Sequence, residues 1–267
     1  MENKKSLSNW LIASDIDGTL NNKIRRLPER NEKAIQKFVS MGGRFTLASG
    51  RNPQSMERHF RRLPIEGTPA IVMNGAGLYD FQKNEMIYFS AMSDEGMRLA
   101  VEAAKKFPMV DVVVVAKDII YITGMGWFGR FFVAAGALNH KHIRNIDKVP
   151  KENWGKVIFS GDPISIARVK KHFTSMEDPD LTLMSSSVAS FEILARNTHK
   201  GTAVMKLAEM LGIEKSHVGA IGDYFNDFDM LKSVGVPACC GQAPKELKDV
   251  SEFIACHCNN GAVADFL

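Results

Sequence analysis

LIASDIDGTL, residues 11–20, is a short apolar run that ends abruptly in acid and glycine. The four residues 11–14 are too few for a helix and read as a buried strand, with Asp15 at its C-terminal tip. Asp15 and Asp17 are separated by one residue, and in extended backbone residues two apart face the same side. Just past the strand end, both side chains can reach one cavity, and Gly18 permits the tight turn that follows. Taken alone, Asp-X-Asp-Gly is as readily a turn with solvated carboxylates. Its meaning depends on what the rest of the chain brings to it.

Outward from this strand the pattern alternates. Ala34, Ile35, Phe38 and Val39 fall on one face of a helix over 29–41, stopped by Gly42 and Gly43. A second strand, 44–48, ends at Ser49, Gly50 and Arg51, and a short helix follows Pro53. A third strand, 70–73, ends at Asn74 and Gly75. The rhythm returns after Ala195. Lys200 opens a helix whose apolar face is Ala203, Val204, Leu207, Ala208 and Leu211. Strand 218–221 then ends in Gly222 and Asp223, a helix begins near Asn226, and 236–239 and 253–255 read as the last strands. In an open parallel sheet, ligands sit beyond the carboxyl ends of the strands. The polar endings therefore mark one site.

The middle of the chain differs. Strands are expected at 111–115, 119–123, 156–160, 181–184 and 191–194, with helices near 94–107, 127–138 and 164–176. Short turns between strand pairs favour an antiparallel α+β unit. The expected fold is α/β: a doubly wound, parallel-sheet, Rossmann-like core from residues 1–82 and 193–267. An α+β cap domain, residues 83–192, is inserted in it and is expected to supply specificity. Met125, Trp127, Phe128 and Arg130, after Gly124, read equally as a loop facing the cleft and as aromatic packing.

The chain has 267 residues, 45% hydrophobic and 24% charged, as in a soluble globular protein. A net charge of +4 suits a small anionic substrate. The basic clusters Arg25–Arg26, Arg58 and Arg61–Arg62 lack the aromatic interleaving of a single-strand nucleic-acid groove, so no nucleic-acid partner is expected. MENKKSLSNW has no signal-peptide character, and no apolar run reaches membrane-spanning length, so no membrane partner is expected either. Cys239, Cys240, Cys256 and Cys258 show no CxxC spacing and read as small hydrophobes in a reducing cytoplasm, rather than as a thiolate site with His257. His59, His172 and His199 are expected to be surface or hydrogen-bonded side chains.

The strand endings carry chemistry when taken together. Asp223 and Asp227, in GDYFND, add two carboxylates to Asp15 and Asp17. Like charges crowded together repel, and a hard cation such as Mg²⁺ answers that need. Lys200 is a point charge suited to a phosphoryl oxygen. Ser49 offers a hydroxyl donor, and the turn after Asp15 offers backbone N–H groups. Asp15 is placed to attack phosphorus, and Asp17 to donate a proton to the leaving oxygen.

DIDGT (15–19), LASGR (47–51), Lys200 ahead of a helix and GDYFND (222–227) occur in an order that resembles the haloacid dehalogenase-like phosphatase superfamily. The long insertion resembles its Cof-type subfamily, with a subclass IIB cap. MNGAGLYD (73–80) and the segment 234–267 extend the likeness over nearly the whole chain. The resemblance implies that Asp15 is the nucleophile and Asp17 the general acid and base. It implies that Asp223, the Asp15 carboxylate and the Asp17 backbone carbonyl bind Mg²⁺, with Asp227 in support. Ser49 and Lys200 match phosphate-binding positions, and Gly18, Gly50, Arg51, Asn74 and Asn226 line the phosphate end of the pocket. Gln242 departs from the family's usual asparagine and Cys240 from its frequent methionine, both off the core chemistry. The expected activity is Mg²⁺-dependent hydrolysis of a small phosphorylated metabolite, such as a sugar phosphate, through an aspartyl-phosphate. The alternatives are a phosphotransferase or phosphomutase of the same superfamily, and a phosphate-binding regulator without turnover. The second aspartate, Asp17, argues against the regulator.

Overall fold

The computed structural model describes residues 7–123 and 139–267. The chain divides into two compact units, Met1–Tyr88 with His199–Leu267, and Phe89–Thr198.

In the first unit, β1 (Leu11–Ser14) is buried at every position, as a strand covered on both faces must be. α1 (Glu29–Ser40) turns Asn31, Ile35 and Phe38 inward and stops before Gly42, whose φ of +93° takes the left-handed turn. β2 (Arg44–Leu47) follows. α2 (Pro53–Phe60) begins with proline in its first turn, and the Asn52 side chain accepts the Ser55 N–H at 3.1 Å. β3 (Ala70–Val72), β4 (Gly77–Asp80) and β5 (Glu85–Phe89) form their own three-stranded sheet. β3 meets the line of the main sheet through one parallel bridge, Ala48 to Ile71, and then turns into an antiparallel hairpin with β4.

The second unit contains α3 (Asp94–Lys106), β6 (Asp111–Ala116), β7 (Ile120–Thr123), β8 (His140–His142), β9 (Trp154–Ser160), α4 (Pro163–Thr174), β10 (Leu181–Ser187) and β11 (Ser190–Ala195). Its six strands lie in the order β10-β11-β9-β6-β7-β8. The pairs are antiparallel except β7 with β8. Trp154, Phe159, Phe173 and Phe191 are the largest buried side chains of its core. β8, with the sequence HKH, has no apolar alternation and escapes pattern reading. The ends of this unit are tied by a hydroxyl contact, Ser90 Oγ to Thr198 Oγ1 at 2.7 Å. The unit runs from Phe89 to Thr198. The helix expected at 127–138, with Met125, Trp127, Phe128 and Arg130, lies outside the described residues.

The chain then re-enters the first unit with α5 (Lys200–Leu211), β12 (Val218–Gly222), α6 (Phe228–Ser233), β13 (Val236–Cys239), α7 (Lys245–Asp249), β14 (Phe253–Ile254) and α8 (Ala262–Phe266). The main sheet is parallel throughout, in the order β14-β13-β12-β1-β2. Helices cover both faces. Leu11 and Ala13 share a buried cluster with Ala203, Val204, Leu207 and Ala208 of α5. On the other face, Ile12 and Phe266 of α8 close over Gly219. From β1 the chain winds to β2 on one side and later to β12, β13 and β14 on the other. The order therefore reverses between β1 and β12, the switch point beyond whose strand ends open parallel sheets bind ligands. Among the described residues, no helix is long and apolar enough to cross a membrane. All four cysteines are free thiols, with Cys239, Cys240 and Cys258 buried.

Candidate active site

Asp15 stands directly after β1, its N–H donating to the Ile221 carbonyl of β12 at 3.0 Å. It is 5% exposed. Lys200, the first residue of α5, is fully buried, and its Nζ lies 2.6 Å from Asp15 Oδ1 and 2.7 Å from Asp227 Oδ1. The His199 imidazole and the Thr202 hydroxyl cap this helix reciprocally, so its first residue is aimed rather than frayed. Asp227, also fully buried, uses Oδ2 to accept the N–H groups of Asp223 (3.0 Å) and Tyr224 (3.3 Å). It therefore holds the turn after β12 and the lysine at once. Asp223 accepts the Thr19 hydroxyl at 3.2 Å. Gly18, at φ +89°, lets the turn after β1 approach this carboxylate, because a Cβ there would collide with Asp223 Oδ2.

Asp15, Asp223 and Asp227 bring carboxylate oxygens within 4.8 Å of one another. Burial, with the charges of Asp227 and Asp223, drives the Asp15 pKa well above the carboxylate range, although Lys200 pulls it down. Burial and then Asp227 raise the Asp223 pKa to about 6. Burial opposes the charge on Lys200, but Asp15 and Asp227 together more than compensate and raise its pKa. The trio carries more negative charge than one lysine neutralises, and its donors are all oxygens.

The Asp17 carboxylate stands apart from the trio. It is gripped by the Arg51 guanidinium, with Nη2 to Oδ1 at 2.6 Å and Nε to Oδ2 at 2.8 Å, and its side chain is 46% exposed. Ser49 is buried at the end of β2, its Oγ accepting the Arg51 N–H at 3.3 Å. Its carbonyl accepts the Asn74 N–H at 2.9 Å, and the Arg51 carbonyl accepts the Met73 N–H at 2.9 Å. Met73, Asn74 and Gly75 all have positive φ (53°, 58° and 100°). For Met73 that conformation costs roughly 1–2 kcal/mol, a strain typical of functional turns. Gly50 packs its backbone close against the Asn74 amide. Asn226 is half-buried in the turn beside Asp227.

Three participants escape the motif reading. Thr19 fixes Asp223 as described. Gln242, on the loop after β13, donates from Nε2 to the Gly18 carbonyl at 2.7 Å, and its Oε1 accepts the Cys258 N–H at 3.0 Å. Its signal was its place at another strand end of the same sheet edge. His59 on α2 is 4% exposed, with Nε2 3.1 Å from Asn21 Nδ2 in the turn that leaves Asp17. Burial, then Arg58 and Arg51, depress its pKa to about 4. Its folded pKa is below the unfolded value near 6.5, so its stabilising effect is complete above that value. That contribution is lost as pH falls toward 4, on the order of 3 kcal/mol in all. Urea unfolding at pH 7 and pH 5 is expected to show a smaller loss in His59→Gln than in the wild type. Equal losses would remove His59 from this role.

The profile of the haloacid dehalogenase-like hydrolase family matches residues 12–267. A Bacillus subtilis 5-amino-6-(5-phospho-D-ribitylamino)uracil phosphatase, YwtE, is 26% identical over 283 aligned positions, covering 96% of each chain. An HMP-PP phosphatase from Serratia proteamaculans is 26% identical, covering 96% of this chain and 93% of its own. Among solved structures, a haloacid dehalogenase-like hydrolase from Bacteroides thetaiotaomicron superposes with a TM-score of 0.84 at 21% identity, over 96% of this chain and 97% of that one. With the family profile running from β1 to the C-terminal residue and the same fold in a solved relative, the chain belongs to the haloacid dehalogenase-like hydrolases.

Proposed function

We propose that the protein is a Mg²⁺-dependent phosphatase that cleaves small phosphate monoesters through an aspartyl-phosphate on Asp15. The observation that carries this reading is the carboxylate trio Asp15, Asp223 and Asp227 at the switch point of the sheet, with Lys200 bridging the buried Asp15 and Asp227. The phosphatase names of the two curated relatives support it.

The donor set fits a hard divalent cation: the buried Asp15 and Asp227 and the half-buried Asp223 bring their carboxylates within 4.8 Å, with excess negative charge. The Asp15 and Asp223 carboxylates and the Asp17 backbone carbonyl would hold Mg²⁺, with Asp227 behind them. When bound, Mg²⁺ supplies positive charge to the phosphoryl oxygens and keeps Asp15 ionised. The protein's own groups do the rest. An Asp15 carboxylate oxygen attacks phosphorus, and the bond from phosphorus to the leaving oxygen breaks. Asp17 gives that oxygen a proton, so the first product departs as an alcohol. Asp17 then takes a proton from water, whose oxygen attacks phosphorus. The bond to Asp15 breaks, and inorganic phosphate leaves.

Lys200 and Ser49 bind phosphoryl oxygens through the turnover. The Arg51 fork on Asp17 has a purpose in this scheme. A phosphate dianion competes for the guanidinium and frees Asp17 as the substrate arrives.

The test is release of inorganic phosphate from an aryl phosphate and from a panel of sugar phosphates with Mg²⁺. Release that is stopped by EDTA and restored by Mg²⁺ is the expected result. No release from any ester sinks the reading.

A further inference from the structure

Gln242 joins three parts of the site that the chain delivers separately. Its Nε2 donates to the Gly18 carbonyl at 2.7 Å, and its Oε1 accepts the Cys258 N–H at 3.0 Å. The same side chain also stands close enough to the Asp223 carboxylate to help hold its pKa down. An amide nitrogen has two hydrogens, so one side chain can serve Gly18 and Asp223 together.

The need for such a tie follows from Gly18. A Cβ at this position would strike Asp223 Oδ2, and φ is +89°, so the position requires glycine. Glycine is also the residue with the greatest backbone freedom. The turn that carries Asp15 and Asp17 thus hinges on its least restrained residue. The two peptide planes that meet at Gly18 bear the Asp17 carbonyl on one side and the Gly18 carbonyl on the other. Holding the second plane limits where the first can point.

We propose that Gln242 is a positioning residue for the cation site: it pins the Gly18 peptide against the neighbouring Asp223, so that the Asp17 carbonyl and the Asp15 and Asp223 carboxylates converge on one ion. The cation site is part of the phosphatase reading above, but its occupancy can be measured without turnover.

The experiment compares wild type, Gln242→Met and Gln242→Asn. Mg²⁺ binding is followed by calorimetry without substrate, Mg²⁺ activation by phosphate release, and folding by thermal melting in EDTA. Methionine keeps the length of glutamine and removes both hydrogen bonds. It is expected to weaken Mg²⁺ binding 10- to 100-fold, the usual cost of losing a group that orients metal ligands. The half-saturating Mg²⁺ in the activity assay is expected to rise by the same factor, with kcat at saturating Mg²⁺ changed far less. Asparagine keeps the amide one methylene short and is expected to fall between the two. Wild-type Mg²⁺ affinity in Gln242→Met, or a kcat loss with unchanged Mg²⁺ affinity, overturns the proposal. If Gln242→Met does not fold, wild-type affinity in Gln242→Asn overturns it alone. A wild-type protein that binds Mg²⁺ but hydrolyses no ester defeats the phosphatase reading and leaves this one standing.

Discussion

Replacing Asp15 by asparagine is expected to lower phosphate release by about 10⁴-fold or more, as removal of a covalent nucleophile does, without lowering stability. The two effects part company because Asp15 is electrostatically unfavourable where it stands. It is 5% exposed, and burial with Asp227 and Asp223 disfavours its charged form. An amide of the same shape removes one of three crowded negative charges, and Lys200 keeps Asp227 at 2.7 Å. Sites of this kind trade stability for function. Melting in EDTA is expected to give a temperature equal to the wild type's or higher. An activity loss below tenfold would take the nucleophile's role from Asp15, whatever the melting curve shows.

The second large effect has the opposite balance. Lys200→Met is expected to cost about 3–5 kcal/mol, because it leaves Asp15 and Asp227 buried without their shared cation. In a chain of this size that lowers the melting temperature by on the order of 10 °C. Lys200 is fully buried and bonded at 2.6 and 2.7 Å, so water cannot take the ammonium's place. Mg²⁺ is expected to restore part of the loss by binding only the folded state. The double variant Asp15→Asn with Lys200→Met is expected to lose less than the sum of the single changes, since groups in one ion network couple. Strict additivity would mean that the two residues do not act on each other.

Where the pattern was periodic or the run short and apolar, the sequence and the structure agree closely. β1, β12 and β13 are short apolar runs, and α5 repeats apolar residues at helical spacing, so their burial is written in their composition. β8 and the departure of β3 from the main sheet have no such signature. β8 depends on which edge β7 offers for pairing, and β3 turns away into a hairpin with the next strand, β4. The site divides in the same way. Asp15, Asp223 and Lys200 stand at strand or helix ends that pattern alone can find. The rerouting of the Asp17 carboxylate to Arg51 depends on side-chain geometry between loops, as does the tie from Gln242 to Gly18.

The order of the buried core strands β1, β2, β12 and β13 and of the helices α1 and α5, the residue types at their ends and the family of the chain follow from the sequence by itself, because each is local or a matter of order. Only the folded structure decided which carboxylates crowd together. Asp15 and Asp17 are nearest neighbours in the motif, yet the chain parts them, giving Asp15 to Lys200 and Asp17 to Arg51. Asp227, distant in sequence, closes on Asp15 instead. Spacing along a chain limits what can meet. The choice among those possible contacts belongs to burial and charge, which act only once the sheet has brought β1 beside β12.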